Sequence, residues 1–567
     1  MVKKIFMSLV LSQALLYGAN DEAKQISDMI KNSPYSNEAQ NKNISNSLKN
    51  QQVDIKLSDQ NASNKITIKN DEASNTNESR VHIKTYTLFL DNKEETFKSL
   101  GIDEEEIQLL ISNFKDEDLS LQTLKDIANI ISYYFQTHGY PAATAYIPPQ
   151  DLSNANVQIN VALGKLGKFV IKNNSGARDY AIESKLNQKL KGKILTTRKI
   201  EDSAYRVNEM NGVRVAGNIQ AGDNYGESDI VIEVDKDKSA TLLIYGDNYG
   251  TKETGRYKGG VSQTINNLAR QGDMLNFYIQ NTDENQINYG ATYSTFIGNL
   301  SISPFISKGS YVLGGRYAGA GFYGASLNSG VNFAYPVFLY SDMTLKLIFG
   351  FTHRELEDHY LEDIAVSKKA SNLANIGLEG TYQGIENNSL SYIVNFTYGD
   401  LKDDGSKIIT QGPNLGNFAK MNININNEYR FHELLTHVFQ LNYQKVIGGM
   451  VLDSSETASI GGPYGVRAYY DGEGSADNAV WGTLGIRFQT PLQGFYLMPF
   501  YDIGYSWYQN KQYQSINHYF MDAMGMQALY LKPGKFYLKV DAARAVHKFK
   551  FDGEHRTRVY ISTGLYF

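Results

Sequence analysis

The C-terminal stretch RTRVYISTGLYF (556–567) alternates strictly between two kinds of side chain. The odd positions from 557 carry Thr, Val, Ile, Thr, Leu and Phe, and the even positions carry Arg, Arg, Tyr, Ser, Gly and Tyr. A period of two is that of a β-strand with one face suited to lipid and the other to water. Strands cross hydrocarbon only in closed barrels, because an open edge leaves backbone groups without partners. The stretch therefore predicts the last strand of an outer-membrane β-barrel.

The same alternation recurs from about residue 241 to the C terminus, in runs separated by Gly, Asn, Asp or Pro. This part holds 30 of the 40 tyrosines and both tryptophans, as expected of the aromatic girdles of a barrel. At about 20 residues per strand and connection, 238–567 predicts a membrane β-barrel of about 16 antiparallel strands. Reading back from the end, we place strands near 556–567, 535–548, 516–531, 495–508, 479–490 and 433–448. External loops then fall at 549–555, 509–514 and 449–478.

The N terminus has the pattern of an export signal. Lys3 and Lys4 precede the apolar run Ile5–Leu16, and Ala19 is the expected last removed residue, so 1–19 is predicted to be a signal peptide. No later segment has the roughly 18 consecutive apolar residues of a membrane helix. An asparagine-rich linker, 20–80, follows. Its one weak helical stretch is Asp21–Ser33, and Asn61 lies in a glycosylation-type sequon.

Composition excludes several classes of function. The chain has 567 residues, a formal net charge of −5 and no cysteine. The charge gives no reason to expect a nucleic-acid partner, and the lack of cysteine excludes disulfides, thiolate nucleophiles and cysteine-bound metals. GKLGKF (164–169) lacks the spacing of a phosphate-binding loop. We therefore expect no enzyme, no cofactor and no metal.

Two small α/β modules, 81–163 and 164–237, are predicted before the barrel. In the first, apolar residues between Leu124 and Phe135 recur at helical spacing up to Gly139, and the strand NVQINVALG (156–164) follows. The second reads as strand LGKFVIK, helix DYAIESKLNQKL, helix TTRKIEDSAYRVNEM and strand SDIVIEVD. The strand–helix–helix–strand order is thus repeated in tandem.

Four segments resemble parts of the two-partner secretion transporters, the TpsB proteins or ShlB/FhaC/HecB-type haemolysin activators. LKDIANIISYYFQTHGYPAATAYIPPQDL (124–152) and TTRKIEDSAYRVNEMNGVRV (196–215) are similar to the family's two POTRA domains. The segment 246–275 is similar to its first barrel hairpin. GVRAYYDGEGSADN (465–478) resembles its inward-folded sixth external loop, whose motif is V-R-G-Y/F. Here the motif reads Val466, Arg467, Ala468 and Tyr469, with Ala in place of the usual Gly, which restricts the backbone.

The resemblance implies a partner for Arg467. In FYLMPFYDIGYSWYQ (495–509), the alternation directs Leu497 and Ile503 to lipid, and so directs Asp502 into the lumen. The family's loop enters the barrel, and its motif arginine pairs with an inner-wall aspartate. We therefore predict that Arg467 and Asp502 anchor the loop. The alternative is that Arg467 is solvated on an external loop.

The resemblance also implies export of one large secreted partner, a TpsA-like adhesin or haemolysin, across the outer membrane without ATP. The N-terminal modules would lie in the periplasm and capture unfolded cargo by β-augmentation or groove binding. Outer-membrane lipid and the cell's barrel assembly machinery are further expected partners. Candidate cargo contacts, which plain core packing would explain equally well, are Arg198, Glu201, Tyr205, Asn208, Asp229 and Ile230. Alternative functions are a POTRA-barrel assembly factor and a passive porin or receptor.

Two other patterns suggest metal sites but fit poorly. FHELLTH (431–437) spaces His432 and His437 five apart, unlike H-E-x-x-H, and we interpret it as a periplasmic turn between strands. Asp471, Glu473 and Asp477 lack the ligand series of a calcium loop. We expect these three acids to be solvated on the loop surface.

Overall fold

The structure, a computed structural model, describes residues 54–55, 80–283, 286–315, 321–360, 365–407, 415–510, 517–548 and 556–567. The described residues fall into two units, one within Gln51–Asp237 and one within Lys238–Phe567. The predicted signal peptide, the stretch Asp21–Ser33 and Asn61 lie outside the described residues. No helix in the described ranges is long and apolar enough to cross a membrane.

The first α/β module surrounds a hydrophobic core drawn from residues 83–163. After the short strand β1 (Asp54–Ile55) its elements are β2 (Arg80–Ile83), β3 (Thr85–Leu90), α1 (Glu104–Leu110), a 3-10 helix (Ser112–Phe114), β4 (Glu117–Ser120), α2 (Leu121–Thr137), β5 (Thr144–Tyr146) and β6 (Asn156–Ala162). β6 lies between β3, which is parallel to it, and the antiparallel β5. The helix predicted from apolar spacing is α2, which begins where the Ser120 side chain accepts a hydrogen bond from the Thr123 amide.

The second module has its own core, drawn from residues 166–234. It contains β7 (Lys165–Asn173), α3 (Asp179–Glu183), a 3-10 helix (Gln188–Leu190), α4 (Thr197–Asn208), β8 (Val213–Ala221) and β9 (Glu227–Lys236). Its sheet has the order β1-β8-β9-β7. The strand–helix–helix–strand pattern omits β8, and the helix predicted over 179–190 is wrong beyond Glu183. Asn187 is extended there and its side chain accepts from the Lys189 amide, which competes with helix continuation.

Sixteen antiparallel strands form the closed barrel in the described residues of the C-terminal unit, neighbours in sequence being neighbours in the sheet. They are β10 (Ala240–Asp247), β11 (Lys258–Asn266), β12 (Met274–Thr282), β13 (Ile287–Ile297), β14 (Leu300–Val312), β15 (Tyr323–Leu339), β16 (Met343–Tyr360), β17 (Ala365–Tyr382), β18 (Asn388–Asp403), β19 (Gly416–His432), β20 (Leu435–Ile447), β21 (Asn478–Gln489), β22 (Phe495–Trp507), β23 (His518–Lys532), β24 (Phe536–Ala545) and β25 (Thr557–Tyr566). The predicted number is confirmed. Closure comes from β10 against β25, with Ile244 opposite Leu565.

Burial along β22 shows which face lines the lumen. Met498, Phe500 and Asp502 are buried, whereas Ile503 and Tyr505 are exposed on the outer surface. This is the assignment made from the alternation of the sequence. Residues 432–435 (HELL) form the turn that joins β19 to β20, as predicted. In the described ranges, no group of three or more His, Cys, Asp or Glu side chains could hold a metal ion.

Candidate functional site

The chain between β20 and β21 folds inside the barrel, and we call residues 448–477 the lumen loop. Its side chains Ile460, Val466, Ala468 and Tyr469 are buried in one cluster with inner-wall residues of β22, β23 and β24. β20 is the eleventh strand of the ring, so the loop enters from the barrel end opposite the one at which β10 begins. The loop is therefore a packed part of the lumen.

The lumen loop is folded back on itself as two arms. The first arm is 448–460 and the second is 461–477. Ala458 and Ala476 exchange backbone hydrogen bonds of 3.0 Å in both directions, and the Val466 amide donates to the Ile460 carbonyl at 2.8 Å. Gly465 is required at this fold-back, because a Cβ there would lie 2.3 Å from the Ile460 oxygen.

Arg467 lies against Asp502 in a bidentate geometry. Its Nε is 2.8 Å from Oδ2 and its Nη2 is 2.7 Å from Oδ1 of Asp502. The Arg467 backbone amide also donates to Oδ2 at 3.1 Å, and Thr483 donates its hydroxyl to Oδ1 at 2.7 Å. Both partners are buried, with Arg467 4% exposed and Asp502 fully enclosed. The predicted residues are thus in contact, in the arrangement that best satisfies a guanidinium and a carboxylate.

A second carboxylate, which was not predicted from the sequence, completes the site. Asp541, on β24, accepts from Arg467 Nη1 at 2.9 Å and from Gln527 Nε2 at 2.8 Å. Lys539 lies 3.1 Å from its other oxygen. Two cations therefore face two anions, which is how a protein tolerates buried charge. The alternation of β24 places Asp541 on the inner face, so this signal was present in the sequence.

Phe500 supplies the apolar side of the site. The guanidinium carbon of Arg467 lies 3.2 Å from the centroid of the Phe500 ring, a cation–π contact. Phe500 is two residues before Asp502 on the same strand, so the alternation directs both inward. One strand thus provides both the ring and the carboxylate.

The motif residues beside Arg467 are also fixed. Val466 to Tyr469 form a turn in which the Tyr469 amide donates to the Val466 carbonyl at 3.1 Å. Ala468 is fully buried in this turn and its φ is not positive, so alanine fits where the family motif has glycine. The Tyr469 carbonyl accepts from the Tyr560 hydroxyl at 2.5 Å.

The expectation that the loop acids are solvated is wrong for two of the three. Asp477 is fully buried and accepts from the Leu452 amide at 2.8 Å and the Gln509 amide at 2.7 Å, so it ties the base of the loop to the chain after β22. Glu473 pairs with Arg556 and accepts from a backbone amide within the loop. Only Asp471 is exposed. These carboxylates are structural partners inside the barrel.

The cargo contacts predicted in the second POTRA-like module divide by burial. Glu201, Asn208, Asp229 and Ile230 are all buried, so they offer no surface to a partner, and that part of the prediction is corrected. Glu201 and Asn208 lie beside the apolar face of α4, and β9 is an inner strand of its sheet, where the Asp229 carboxylate accepts from the Lys168 amide at 3.0 Å. Arg198 is exposed and Tyr205 is half-buried. These two remain accessible.

Comparison with known families finds matches to the barrel and to the first α/β module. A family described as "Haemolysin secretion/activation protein ShlB/FhaC/HecB" matches residues 226–528, more than half of the sequence. A second, described as "POTRA domain, ShlB-type", matches residues 99–164.

Individual relatives agree with these matches. The heme/hemopexin transporter protein HuxB of Haemophilus influenzae (strain 86-028NP) is 24% identical over 457 residues, 78% of this chain and 80% of HuxB. Outer membrane transporter CdiB-2 of Burkholderia pseudomallei is 26% identical over 168 residues, 29% of this chain and 28% of its own. Solved structures of CdiB from Escherichia coli and Acinetobacter baumannii share the fold, with TM-scores of 0.66 and 0.62. Both are 16% identical, cover 97% and 96% of this chain, and are matched over 98% of their own length.

Proposed function

The chain belongs to the haemolysin secretion/activation family of ShlB, FhaC and HecB, and we propose that its lumen loop is a gate held shut by Arg467. As a member of that family it is an outer-membrane transporter of two-partner secretion, which exports a partner exoprotein and has its POTRA domains in the periplasm. The gate is the step of that transport to which we assign residues.

The observation that carries this proposal is the enclosed charge cluster of Arg467 with Asp502 and Asp541. A polypeptide crossing the lumen needs the space that the loop occupies, so the loop has to leave its place on the inner wall. A paired charge in a low-dielectric site is costly to separate, yet both partners are hydrated again once water enters. Such a pair suits a gate that stays closed at rest and opens when cargo binding supplies the free energy.

We propose that cargo drives its own transport. The periplasm contains no ATP, and the sequence has no phosphate-binding loop, so we expect no catalytic step. The unfolded partner binds the POTRA modules, threads through the barrel and folds outside, which makes return unfavourable. Arg198 and Tyr205 are the candidate contacts that remain accessible in the second module. Membrane lipid around the outer face and barrel assembly machinery for insertion complete the expected partners.

The cargo is proposed to be a large secreted exoprotein of the adhesin or haemolysin type. HuxB, a relative that matches 78% of the chain, is named as a heme/hemopexin transporter. A partner that binds heme carriers is therefore a specific candidate to test, beside adhesins and cytolysins.

The test is export by variants of the gate. Arg467→Ala, Asp502→Ala and the exchange Arg467→Asp with Asp502→Arg are expressed with the partner exoprotein, and the exoprotein is measured in the medium. We expect both single variants to lower export, because a loop that leaves the wall without cargo no longer couples cargo binding to opening, and we expect the exchange to restore part of it. Full export by both single variants would contradict the gate. Loss of unrelated barrel proteins from the outer membrane on gene deletion would instead support an assembly factor.

A matched control is available on the outer surface. Glu357 and Lys368 form an ion pair of 2.8 Å between β16 and β17, with side chains 39% and 42% exposed. An exposed pair of this kind contributes about 0–1 kcal/mol. Glu357→Gln removes one charge without touching the lumen, so export should be unchanged.

A further inference from the structure

The first arm of the lumen loop carries two buried acids that the Arg467 site does not use. Asp453 and Glu456 are 5% and 3% exposed. Neither belongs to the V-R-G-Y/F-like motif, and neither contacts Arg467, Asp502 or Asp541. Each meets a basic side chain of the inner wall.

Glu456 is held by two cations. Arg354, on β16, donates from Nη1 to Oε1 at 2.6 Å, and Lys420, on β19, lies 2.9 Å from Oε2. Arg354 is oriented by Asn328, which accepts from its Nε at 2.9 Å. The Lys420 ammonium also donates to the Glu456 carbonyl at 2.9 Å. Side chain and backbone of one loop residue are thus both bound to the wall.

Asp453 makes the neighbouring pair. Lys369, on β17, donates from Nζ to Oδ2 at 2.5 Å. The other oxygen accepts from the amide and the hydroxyl of Ser455, at 3.1 and 2.9 Å, and the Glu456 amide donates to the Asp453 carbonyl. The local turn therefore presents both carboxylates to the wall together.

The position and sign of these charges distinguish them from the Arg467 site. Glu456 is bound to β16 and β19, the seventh and tenth strands of the ring, and Arg467 to β22 and β24, the thirteenth and fifteenth, so the two residues contact separate sectors of the wall. At Glu456 the loop supplies the acid and the wall the bases, whereas at Arg467 the loop supplies the base and the wall the acids. The loop is therefore fixed at two separate places on the wall.

From this arrangement we infer that Asp453 and Glu456 form a second, separable anchor of the lumen loop. Release of Arg467 alone leaves the first arm bound to Arg354, Lys369 and Lys420, and the lumen opens fully only when both anchors let go. The effect of this second anchor on export rests on the proposed function, but its binding to the wall is measured by an experiment that needs no cargo.

Thiol labelling can follow each arm separately, because the chain has no cysteine of its own. Leu452→Cys reports on the first arm, where Leu452 packs against inner-wall residues of β18, β19 and β20, and Ala468→Cys reports on the second arm; both positions are buried. Each reporter is combined with Glu456→Gln, with Arg467→Ala, or with both, in the full chain in lipid vesicles, and reacted with a membrane-impermeant maleimide. Glu456→Gln should speed labelling at 452 by about tenfold or more and at 468 by less than about threefold. Arg467→Ala should do the reverse, and the combination should speed both.

Two outcomes overturn the inference. Glu456→Gln could change labelling at neither reporter, or it could speed both equally, which would make the loop a single unit with one anchor. Lys420→Met removes the wall side of the same contact and should reproduce the selective effect at 452. Heat-modifiable migration in gels establishes that each variant is a folded barrel, and Glu357→Gln should alter neither rate. If both anchors behave as expected but gate variants export normally, the proposed function fails while the second anchor stands.

Discussion

Asp502 should hold the lumen loop more strongly than Asp541, although both carboxylates bind the same guanidinium. Asp502 accepts three hydrogen bonds from Arg467, two from the side chain and one from the backbone, whereas Asp541 accepts one. Asp541 also keeps Lys539 and Gln527 as partners. Replacing each with alanine therefore removes different amounts of the anchor.

The magnitudes follow from these contacts. Removing one partner of a buried ion pair costs about 3–5 kcal/mol, and Arg467 retains Asp541 in Asp502→Ala, so we take about 3 kcal/mol. Asp541→Ala removes one charge-assisted hydrogen bond, about 1.5 kcal/mol. At about 1.4 kcal/mol per factor of ten, the undocked fraction should rise by about 150-fold and about tenfold, respectively.

The assay is the maleimide labelling rate at Ala468→Cys in the full chain, with Glu357→Gln as the exposed-pair control. If undocking precedes labelling, the two rates should rise in the ratio of the two undocked fractions. Equal rates for Asp502→Ala and Asp541→Ala, or the opposite order, would refute the reasoning that the bidentate contact dominates.

Three further variants test other parts of the account. Phe500→Leu removes the cation–π contact and should raise labelling at Ala468→Cys by about tenfold, equivalent to about 1.4 kcal/mol; an unchanged rate would contradict that role. Gly504→Val should displace the loop and raise single-channel conductance, because a Cβ there already lies 3.1 Å from Val466 Cγ2, and wild-type conductance would argue against close packing. Ile230→Ala should destabilise the second module by about 2–5 kcal/mol, which thermal unfolding of the full chain measures. Arg198→Ala should weaken cargo binding to the full chain, and unaltered binding would remove Arg198 as a contact.

Much of the barrel could be predicted from the sequence, because alternation of apolar and polar residues is a local signal. The strands predicted at 495–508 and 479–490 correspond to Phe495–Trp507 and Asn478–Gln489. The same alternation placed Asp502 on the inner face, and the family resemblance supplied Arg467 as its partner. Local pattern and motif together were sufficient for this contact.

The second anchor could not be predicted in the same way. Arg354 and Glu456 are about a hundred residues apart, and they meet because of the ring closure and the path of the loop. Alternation shows that a basic residue faces inward but does not show which loop residue reaches it. The module contacts failed for a different reason: Glu201 and Asn208 share a helical face with buried apolar residues, and sequence polarity suggested surface positions. Burial of polar side chains depends on packing that a single segment does not reveal.

Locking the lumen loop to the wall tests whether the loop has to leave the wall for export. The Cβ of Ile460 lies 3.1 Å from the position of a Cβ at residue 504, just under the roughly 3.5–4.5 Å of a disulfide, so Ile460→Cys with Gly504→Cys should cross-link after a small shift of the loop. Export of the partner exoprotein is compared with the disulfide formed and after its reduction, with Ile460→Cys alone as the control. The account predicts that export is lost in the oxidised double variant and returns on reduction. Equal export in the two states would contradict a gate that has to leave the wall.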